Sequence, residues 1–503
     1  MIKTIDRFLD HLTMYRLVLY YLGILMATAL VLSIINLLPY DPIALTSTAV
    51  LVLAVCCTTN KLFARIFMVP ANNESVYITA LILALILDPV TTSDPKGVGA
   101  AIFASVWAIA SKFIFAIGRK HLFNPAAFGV ALCALLLDQP ATWWVGGNLM
   151  LLPLVLVGGV LVVMKLRRLD LVATFALTAT ATVLATTEPS QYGTVLVESL
   201  RSSPLQFFAF VMVTEPLTAP PGRWPRLAFA AIVGFLFAPN IHIGSFYLTP
   251  ELALLAGNLF AYAVSPKGRF VLTLERIERS AIDSYDFVFR SPRKLAFQAG
   301  QYLEWTLALD RSDNRGNRRY FTVASAPTEE SVRLGVKFYP TSSAFKRGLG
   351  AMKPGSTIHA SQVAGDFTLP ANPEDKIAFL AGGIGITPFR SMLQYLLDRK
   401  EARPVVVLYG TESQQDIAYR EVLDAARREL GIRTVHAVAR GAERGQYSGY
   451  IDDRLVRATI PDYLERTFYI SGPQVMVKAV LAKLRAMGVR RSKIKVDYFP
   501  GFA

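Results

Sequence analysis

Runs of apolar residues separated by short polar loops fill the first half of the chain and constrain its fold more than any other feature. Leu17–Leu38 is long enough to cross a bilayer core of about 30 Å at about 1.5 Å per residue. Other runs, such as Tyr77–Leu87, cover roughly half that thickness. Together they suggest about ten spans, several of them too short to be plain transmembrane helices. Residues 1–265 are therefore predicted to form an all-α polytopic membrane domain, with the lipid bilayer as its first partner.

A four-residue pattern, acid-proline-aliphatic-threonine, occurs twice in this region, at Asp88–Thr91 and at Glu215–Thr218. A basic residue follows each copy at the same spacing. The recurrence predicts two repeats, covering about residues 15–138 and 149–265, with about five spans each. An odd number of spans reverses the direction of the second repeat in the membrane, so we expect inverted repeats.

The distribution of charge predicts the orientation of this domain. A formal net charge of +15 is compatible with nucleic-acid binding. The Lys and Arg residues of this half, however, lie between apolar runs, and on one side of the predicted membrane the loops carry only Lys96 and Arg201. The positive-inside rule then places both termini in the cytoplasm, in a multi-pass protein of the cytoplasmic (inner) membrane. No nucleic acid is expected as a partner, and the oligomeric state stays open.

Cysteine and histidine usage argues against metal centres. The three cysteines, Cys56, Cys57 and Cys133, all lie inside apolar runs. They are too few for an iron–sulfur cluster held by four cysteines, and their spacing fits neither a metal site nor a disulfide framework. Haem is not expected either, because His121 and His242 fall on opposite sides of the predicted membrane. The sequence predicts no metal.

Three polar residues, Asp88, Asn124 and Glu215, stand next to prolines where the predicted helices are broken. Backbone groups freed at such breaks, and the partial charges of helix ends, can face a ligand within a membrane. Acids at membrane depth are candidates for function. The alternative is that Asp88 and Glu215 are only the solvated beginnings of loops.

Two motifs, Phe-Asn-Pro-Ala (123–126) and Val-Thr-Glu-Pro-Leu-Thr (213–218), make this half resemble the D-type and B-type membrane subunits of the Rnf and Na+-NQR complexes. The resemblance implies a second flavin (FMN or riboflavin) among the helices and electron flow toward the far side of the membrane. Family members also carry FMN on a threonine in a Ser-x-Ala-Thr context. Here Ala141-Thr142 is present without the serine. The residues expected to hold this flavin, or an ion, are Asp88, Asn124, Thr142, Thr214 and Glu215.

After Pro266 the pattern changes to short alternating strands punctuated by Gly and Pro, which predicts an antiparallel β-barrel over residues 268–371. The segment Arg319-Tyr320-Phe321-Thr322 within it has the chemistry to hold a flavin. An arginine can neutralise a pyrophosphate, and an aromatic side chain can lie flat against a planar ring. A neighbouring hydroxyl can hydrogen-bond a ring nitrogen. If the segment is a strand, alternation places Arg319 and Phe321 on one face.

Strands alternate with helices from Ile377 onward, which predicts an α/β nucleotide-binding domain over residues 375–503. The first apolar strand, Ile377–Ala381, runs into a glycine-rich turn that ends in Thr387-Pro388. Glycines at a strand–helix turn let the backbone approach a pyrophosphate at a helix N-terminus.

Four ordered motifs make residues 268–503 resemble the ferredoxin–NADP reductase family: Phe-x-Ala-Gly-Gln-Tyr (297–302), Arg-x-aromatic-Thr (319–322), Gly-Gly-x-Gly-x-Thr-Pro (382–388) and Ser-Gly-Pro (471–473). The resemblance implies FAD and NAD(P)H as cofactors. It implies that Arg319 binds the FAD pyrophosphate, Phe321 packs on the isoalloxazine and Thr322 reaches its N5. The other implied cofactor-binding residues are Tyr320, Ser342, Ser343, Gly382, Gly383, Gly385, Thr387, Pro388, Gly472 and Pro473.

The same resemblance implies two candidate catalytic residues, Thr322 and Phe499. The C-terminal aromatic would cover the flavin until the nicotinamide displaces it. Many family members have Cys-Gly-Pro where this chain has Ser471, so a thiol is not available near the hydride.

The sequence as a whole predicts an NAD(P)H-dependent, FAD-containing oxidoreductase in a membrane. It would take a hydride from NAD(P)H to FAD in the cytoplasm and pass electrons through the membrane domain to a quinone or an extracytoplasmic acceptor. One alternative is a redox-coupled ion or small-molecule transporter, and another is a membrane half that serves only as an anchor. Thr411–Gln415 contains no arginine for a 2′-phosphate, which favours NADH, although Arg440 or Arg444 could bind that group.

Overall fold

The computed structural model describes residues 12–67, 73–91, 93–117, 120–166, 168–265, 270–309, 313 and 317–499. The chain forms two compact units that divide between Lys267 and Gly268. We call them the helical unit and the C-terminal unit.

The helical unit consists of helices joined by short loops and two small hairpins. Polar side chains begin several helices, since Asp41, Asp94 and Asn124 each accept a hydrogen bond from a backbone N–H of the following first turn. The helices in chain order are α1 (Met14–Ile34), α2 (Pro42–Ile66), α3 (Asn73–Ile86), α4 (Pro95–Ile114), α5 (Pro125–Leu137), α6 (Leu152–Leu166), α7 (Leu169–Ala185), α8 (Tyr192–Arg201), α9 (Leu205–Phe207, continued by a π-helical turn Phe208–Met212), α10 (Arg223–Phe237) and α11 (Pro250–Val264).

The expectation of about ten spans is wrong for the described residues. Three helices, α1, α2 and α4, are long and apolar enough to cross a membrane, and five other apolar helices have 10–17 residues. The other apolar runs lie in helices too short for a plain span, as the sequence predicts for several of them. Helix α5 begins at the Asn124 cap and ends at Asp138, whose φ of 56° is left-handed. Its 13 residues rise only about 20 Å, less than a bilayer core of about 30 Å.

The order of elements recurs in the two halves of the helical unit. Helix α4 is followed by hairpin strands β1 (Ala116–Ile117) and β2 (Lys120–His121) and then by α5. Helix α10 is followed by β3 (His242–Ile243), β4 (Phe246–Tyr247) and then α11. Helices α5 and α11, which end the two series, pack against each other. The predicted inversion of the repeats stays a prediction.

The C-terminal unit begins with a six-stranded antiparallel sheet, ordered β8-β7-β10-β5-β6-β9. Its core is aromatic and aliphatic, with Phe287, Phe289 and Trp305 almost fully buried. The strands are β5 (Phe270–Ala281), β6 (Ser284–Arg290), β7 (Tyr302–Thr306), β8 (Arg318–Thr322), β9 (Val332–Lys337) and β10 (Thr357–Ala364). A short helix, α12 (Ala344–Gly350), lies between β9 and β10.

A six-stranded parallel sheet follows, ordered β14-β13-β12-β11-β15-β16. Its strands are β11 (Ile377–Gly382), β12 (Val405–Thr411), β13 (Arg433–Val438), β14 (Tyr447–Ser448), β15 (Thr467–Pro473) and β16 (Ile494–Phe499). Its helices are α13 (Thr387–Arg399), α14 (Arg420–Leu430), α15 (Asp453–Thr459) and α16 (Gln474–Ala486). The predicted succession of an antiparallel β domain and an α/β domain is confirmed. Because ligands of such sheets bind beyond the carboxyl ends of the strands, the turns after β11, β12 and β15 are where a nucleotide site is expected.

Candidate active site

Strand β8 places Thr322 in the interior of the antiparallel domain. It pairs with β7, so that Thr322 stands opposite Tyr302. The Thr322 side chain is 2% exposed, and its Oγ1 has no hydrogen-bond partner within the described residues. A buried hydroxyl without a partner costs about 1–3 kcal/mol. An acceptor or donor supplied by a ligand would remove that cost, so this residue fits the predicted hydrogen bond to a flavin ring nitrogen.

Arg319 and Phe321 lie together, as alternation along the strand predicts. The Arg319 guanidinium lies over the ring of Phe345, 5.5 Å from its centroid, and the Phe321 ring centroid is 5.9 Å from the same ring. Tyr320, between them, is exposed, and its hydroxyl donates to Glu304 at 2.8 Å. Tyr320 therefore does not join Arg319 and Phe321.

The two predicted diphosphate-binding serines begin α12. Ser343 is buried, and its hydroxyl accepts the backbone N–H of Lys346 at 3.3 Å. Ser342 donates its hydroxyl to the carbonyl of Tyr339 at 2.6 Å. The Asp313 carboxylate accepts the N–H of Ala344 at 2.7 Å and lies 3.9 Å from Arg319 Nη2. Arg319 and the first turn of α12 thus converge on one anionic group, an arrangement that also suits a diphosphate.

The glycine-rich turn after β11 packs directly on the turn after β15. Ala381 and Ser471 are register partners in the parallel sheet. A Cβ added to Gly385 would lie 2.5 Å from the Gly472 Cα, so only glycine fits there. Gly383 has a φ of 52°, which also favours glycine. The structure thereby brings together Gly382, Gly383, Gly385, Gly472 and Pro473.

Two further hydroxyl-bearing residues, Thr387 and Ser471, flank these turns. Thr387, followed by Pro388, opens helix α13 and is buried. A Cβ on Gly335 of β9 would lie 2.8 Å from the Thr387 methyl carbon, so the turn abuts the antiparallel domain. Ser471 is fully buried, and its Oγ finds no partner in the part of the chain that the structure describes. The sequence indicates that Ser471 stands where many members of the resembled family have a cysteine. Nothing in the sequence indicates that its hydroxyl lacks a partner among the described residues.

The candidate catalytic residue Phe499 is described by its backbone alone. It pairs with Pro473 in the register of β15 and β16, so it lies at the same edge of the sheet as the glycine-rich turns. Its side chain lies outside the described residues, and its predicted cover of the flavin stays a prediction.

In the helical unit, two of the predicted polar residues meet. The Asn124 side-chain amide donates to Glu215 Oε2 at 2.8 Å, and the Thr218 hydroxyl donates to the same oxygen at 3.1 Å. His121 Nε2 lies 3.2 Å from Glu215 Oε1. Asn258 Oδ1 accepts the backbone N–H of Asn124 at 2.8 Å. We call these five residues the polar cluster.

The other candidates of this unit lie elsewhere. Asp88 is exposed and outside the polar cluster. Thr142 is exposed, and its hydroxyl donates to the Ile86 carbonyl at 3.3 Å. Thr214 is buried, and its hydroxyl donates to the Phe210 carbonyl within its own helical turn at 2.7 Å. The sequence reasoning missed Asn258, because it lies inside an apolar run without a proline to mark it.

A buried acid in the same unit was missed as well. Glu251, in the first turn of α11, is 1% exposed, and its Oε2 accepts the indole N–H of Trp143 at 3.3 Å. An acid directly after Pro250 and directly before a predicted apolar run was a sequence signal that could have found it.

Comparison with known proteins identifies part of the C-terminal unit. Residues 379–482 match the oxidoreductase NAD-binding domain. The chain is also 26% identical over 224 residues to the glycine betaine monooxygenase reductase subunit of Chromohalobacter salexigens, covering 43% of this chain and 60% of that protein. It is 28% identical over 208 residues to a flavohemoprotein of Xylella fastidiosa, covering 40% of this chain and 51% of that protein. The chain thus spans less than two thirds of the length of these relatives.

Among solved structures, the chain is similar to a cytochrome P450 reductase of Amycolatopsis, at 21% identity and a TM-score of 0.42, covering 46% of this chain and 71% of that one. The comparisons confirm that the chain carries an NAD(P)H-dependent oxidoreductase module with FAD and NAD(P)H as cofactors. The resemblance of residues 15–265 to Rnf and Na+-NQR subunits stays a prediction.

Proposed function

We propose that this protein is a membrane-bound NAD(P)H oxidoreductase with both termini in the cytoplasm. Its C-terminal unit takes electrons from NAD(P)H, and its helical unit delivers them to a quinone or an extracytoplasmic acceptor. FAD, when bound, supplies the chemistry that converts a hydride into single electrons. The observation that carries the proposal is the buried Thr322 hydroxyl, which has no partner within the described residues and stands on the strand that also bears Arg319 and Phe321.

The predicted residues that lie together in the C-terminal unit each have a task that the geometry supports. The Arg319 guanidinium and the backbone N–H of Ala344 in the first turn of α12 are donors for the diphosphate, while Phe321 offers its ring to the isoalloxazine. Thr322 orients the flavin through its hydroxyl. The turns at Gly383–Gly385 and at Gly472 let the nicotinamide nucleotide approach the backbone at the carboxyl ends of β11 and β15.

The polar cluster is the place in the helical unit where a second flavin would be held. Its residues offer an amide, a carboxylate, a hydroxyl and an imidazole, a donor and acceptor set that suits the polar edge of an isoalloxazine. Asn124 and Asn258 are nearly fully buried, so a ligand here would be sheltered from water. This support is independent of Thr142, which is exposed and would serve a covalent FMN instead.

Flavin analysis of detergent-purified protein, before and after acid denaturation, tests the proposal. Two released flavins per chain would support the second flavin, and a fluorescent flavin that stays on the denatured polypeptide would support Thr142. FAD alone, at one per chain, would contradict the second flavin and favour a quinone bound beside the C-terminal unit or a helical unit that is only an anchor. No FAD at all would contradict the whole proposal.

A redox-coupled transporter remains the second candidate function, and Glu251 favours it. This carboxylate is almost fully buried and forms no ion pair within the described residues. Buried acids in membrane domains commonly mark ion or proton paths. Uptake of sodium or protons into proteoliposomes on addition of NADH would support transport. Uptake should then be lost in Glu251→Gln while NADH oxidation continues, whereas turnover without any uptake would exclude it.

A further inference from the structure

Two consecutive residues of helix α13 hold the loop that follows β8. Arg390 Nη1 donates to the carbonyl of Ala324 at 3.1 Å, and Ser391 Oγ donates to the carbonyl of Ser325 at 2.7 Å. Both side chains are buried, Arg390 at 6% exposed. The loop begins just after Thr322, and α13 begins at Thr387. These contacts therefore connect the predicted flavin strand with the predicted nicotinamide turn.

Glu329 completes the attachment. Its carboxylate accepts hydrogen bonds from both terminal nitrogens of Arg390, with Nη2 at 3.0 Å from Oε1. The same carboxylate accepts the backbone N–H of Ala326 at 2.5 Å. Arg390 thus fixes both ends of the segment from Ala324 to Glu329. A bidentate arginine–carboxylate pair has a fixed geometry that a lysine cannot reproduce.

A neighbouring network makes the same junction rigid. The Tyr419 hydroxyl donates to Asp286 Oδ1 at 2.5 Å across the two domains of this unit. The Arg390 guanidinium lies 5.9 Å from the Tyr419 ring, and Arg333 contacts both Asp286, at 3.5 Å, and Glu329, at 3.7 Å. The charged groups around Arg390 are therefore two carboxylates and one further guanidinium. Hydrogen bonds in such a network reinforce one another, so a change at Arg390 is expected to loosen the loop that it holds.

We propose that Arg390 is a positioning residue for hydride transfer, because it sets the separation between Thr322 and the glycine-rich turn that ends at Thr387. The inference rests on the proposed function. In that reaction the hydride leaves C4 of the dihydronicotinamide with its electron pair and bonds to N5 of the isoalloxazine, so NAD(P)H is oxidised and FAD reduced. Arg390 acts on this step through the loop and the helix that it joins. A displacement of about 1 Å at a reacting centre can cost about 100-fold in rate.

The test compares Arg390→Lys with Arg399→Lys in the full chain, purified in detergent and loaded with FAD. Arg399 lies on the same helix, is largely exposed and contacts only the Glu401 carboxylate, at 3.7 Å, among the described ion pairs. Each protein is mixed rapidly with NADH or NADPH, and the loss of flavin absorbance gives the rate of flavin reduction. We expect the limiting rate to fall about 10- to 100-fold in Arg390→Lys. Half-saturating coenzyme concentration and FAD content should stay within about twofold, and the deuterium isotope effect with 4-deuterated coenzyme should rise.

A second measurement does not depend on activity. Hydrogen exchange of the backbone amides in residues 323–329 should speed up in the FAD-free Arg390→Lys chain and stay unchanged in Arg399→Lys. If Arg390→Lys does not fold, the double variant Arg390→Gln/Glu329→Gln replaces it, because it leaves no unpaired charge in the junction.

Three outcomes would overturn the positioning role. They are an unchanged limiting rate despite faster exchange, a rate that falls only in proportion to lost FAD, and an equal effect of Arg399→Lys. Failure of the proposed function looks different, since the FAD-loaded wild-type chain would then not be bleached by either coenzyme, and the positioning role would fall with it.

Discussion

The side-chain amide of Asn124 donates to the carboxylate of Glu215 at 2.8 Å, although the two residues belong to different halves of the helical unit. Each stands next to a proline at a break between helices. Asn124 Oδ1 also accepts the N–H of Ala127 at 3.1 Å and so begins helix α5. One side chain therefore both starts a helix of the first half and holds the acid of the second.

Asn124→Ala is expected to impair electron delivery from the helical unit while sparing the C-terminal unit. It removes the donor to Glu215 and a helix cap worth about 1 kcal/mol. NADH-dependent reduction of a short-chain quinone should fall at least about 10-fold, since the loss of one hydrogen bond to a charged group, worth about 1.5–3 kcal/mol, loosens the polar cluster. Ferricyanide, which can take electrons from FAD directly, should be reduced at the wild-type rate.

Asp88→Asn is the matched control for this change. Asp88 occupies the position in the first repeat that Glu215 occupies in the second, but it lies outside the polar cluster. This control should leave both reactions near wild type. Equal rates of quinone reduction in Asn124→Ala and the wild type would show that the polar cluster takes no part in electron delivery.

Thr322→Val is expected to slow flavin reduction and to stabilise the FAD-free protein. The valine keeps the shape but removes a buried hydroxyl without a partner within the described residues, which should raise the free energy of unfolding by about 1 kcal/mol. Loss of the hydrogen bond to the flavin should lower the hydride-transfer rate about 10-fold or more. Rapid-mixing spectroscopy and calorimetry measure the two effects. Thr306→Val on the adjacent strand should produce neither, and an unchanged rate in a fully FAD-loaded Thr322→Val protein would argue against contact with the flavin.

The C-terminal unit was predictable because its signals are local. Short apolar alternation punctuated by Gly and Pro predicted an antiparallel β domain over residues 268–371, and strands β5 to β10 lie in that range. Glycine spacing marked the turn after β11, since close approach to Gly472 excludes any side chain at Gly385. A strand and a turn each depend on a few neighbouring residues, so a single sequence is enough to find them.

The helical unit was predictable in outline only. Apolar content revealed its helices, but helix lengths depend on caps such as Asn124 and on backbone conformations such as that of Asp138. Contacts between distant residues were out of reach, because nothing near Asn258 or Glu251 in the sequence signals their partners. The attachment formed by Arg390 was missed for the same reason, since an arginine in the first turn of a helix usually reads as a solvated charge.

The end of β12 predicts a preference for NADH over NADPH. Glu412 follows that strand, where an acid can accept the ribose 2′-hydroxyl and repel a 2′-phosphate. Its carboxylate lies 2.8 Å from Arg440 Nη2, so this arginine is already engaged by an acid. The pair between Glu412 and Arg440 is exposed, and such pairs contribute only about 0–1 kcal/mol. Replacing Glu412 therefore frees Arg440 at little cost in stability.

Glu412→Gln should therefore relax the preference. We expect the ratio of kcat/KM for NADH to that for NADPH to exceed about 10 in the wild type and to drop at least about fivefold in the variant, as removal of one nearby like charge predicts. Glu443→Gln, an exposed acid in the neighbouring loop, should keep the wild-type ratio. A wild-type enzyme that prefers NADPH would contradict this assignment.

His436 predicts a loss of stability in mildly acidic solution. It lies on β13 opposite Tyr409, and burial, reinforced by the Arg420 charge and opposed by that of Asp424, lowers its pKa below the ordinary value of 6.5. Below that pH the unfolded chain binds a proton that the folded chain does not. The free energy of unfolding of the C-terminal unit should therefore decrease as the pH falls from 7.5 through 6.5, and the decrease should level off below the lowered pKa.

Scanning calorimetry of the full chain at several pH values measures this decrease, with His436→Gln as the comparison, because glutamine does not titrate. The variant should lose less stability over this range than the wild type, and parallel curves for the two proteins would show that other groups set the acid sensitivity.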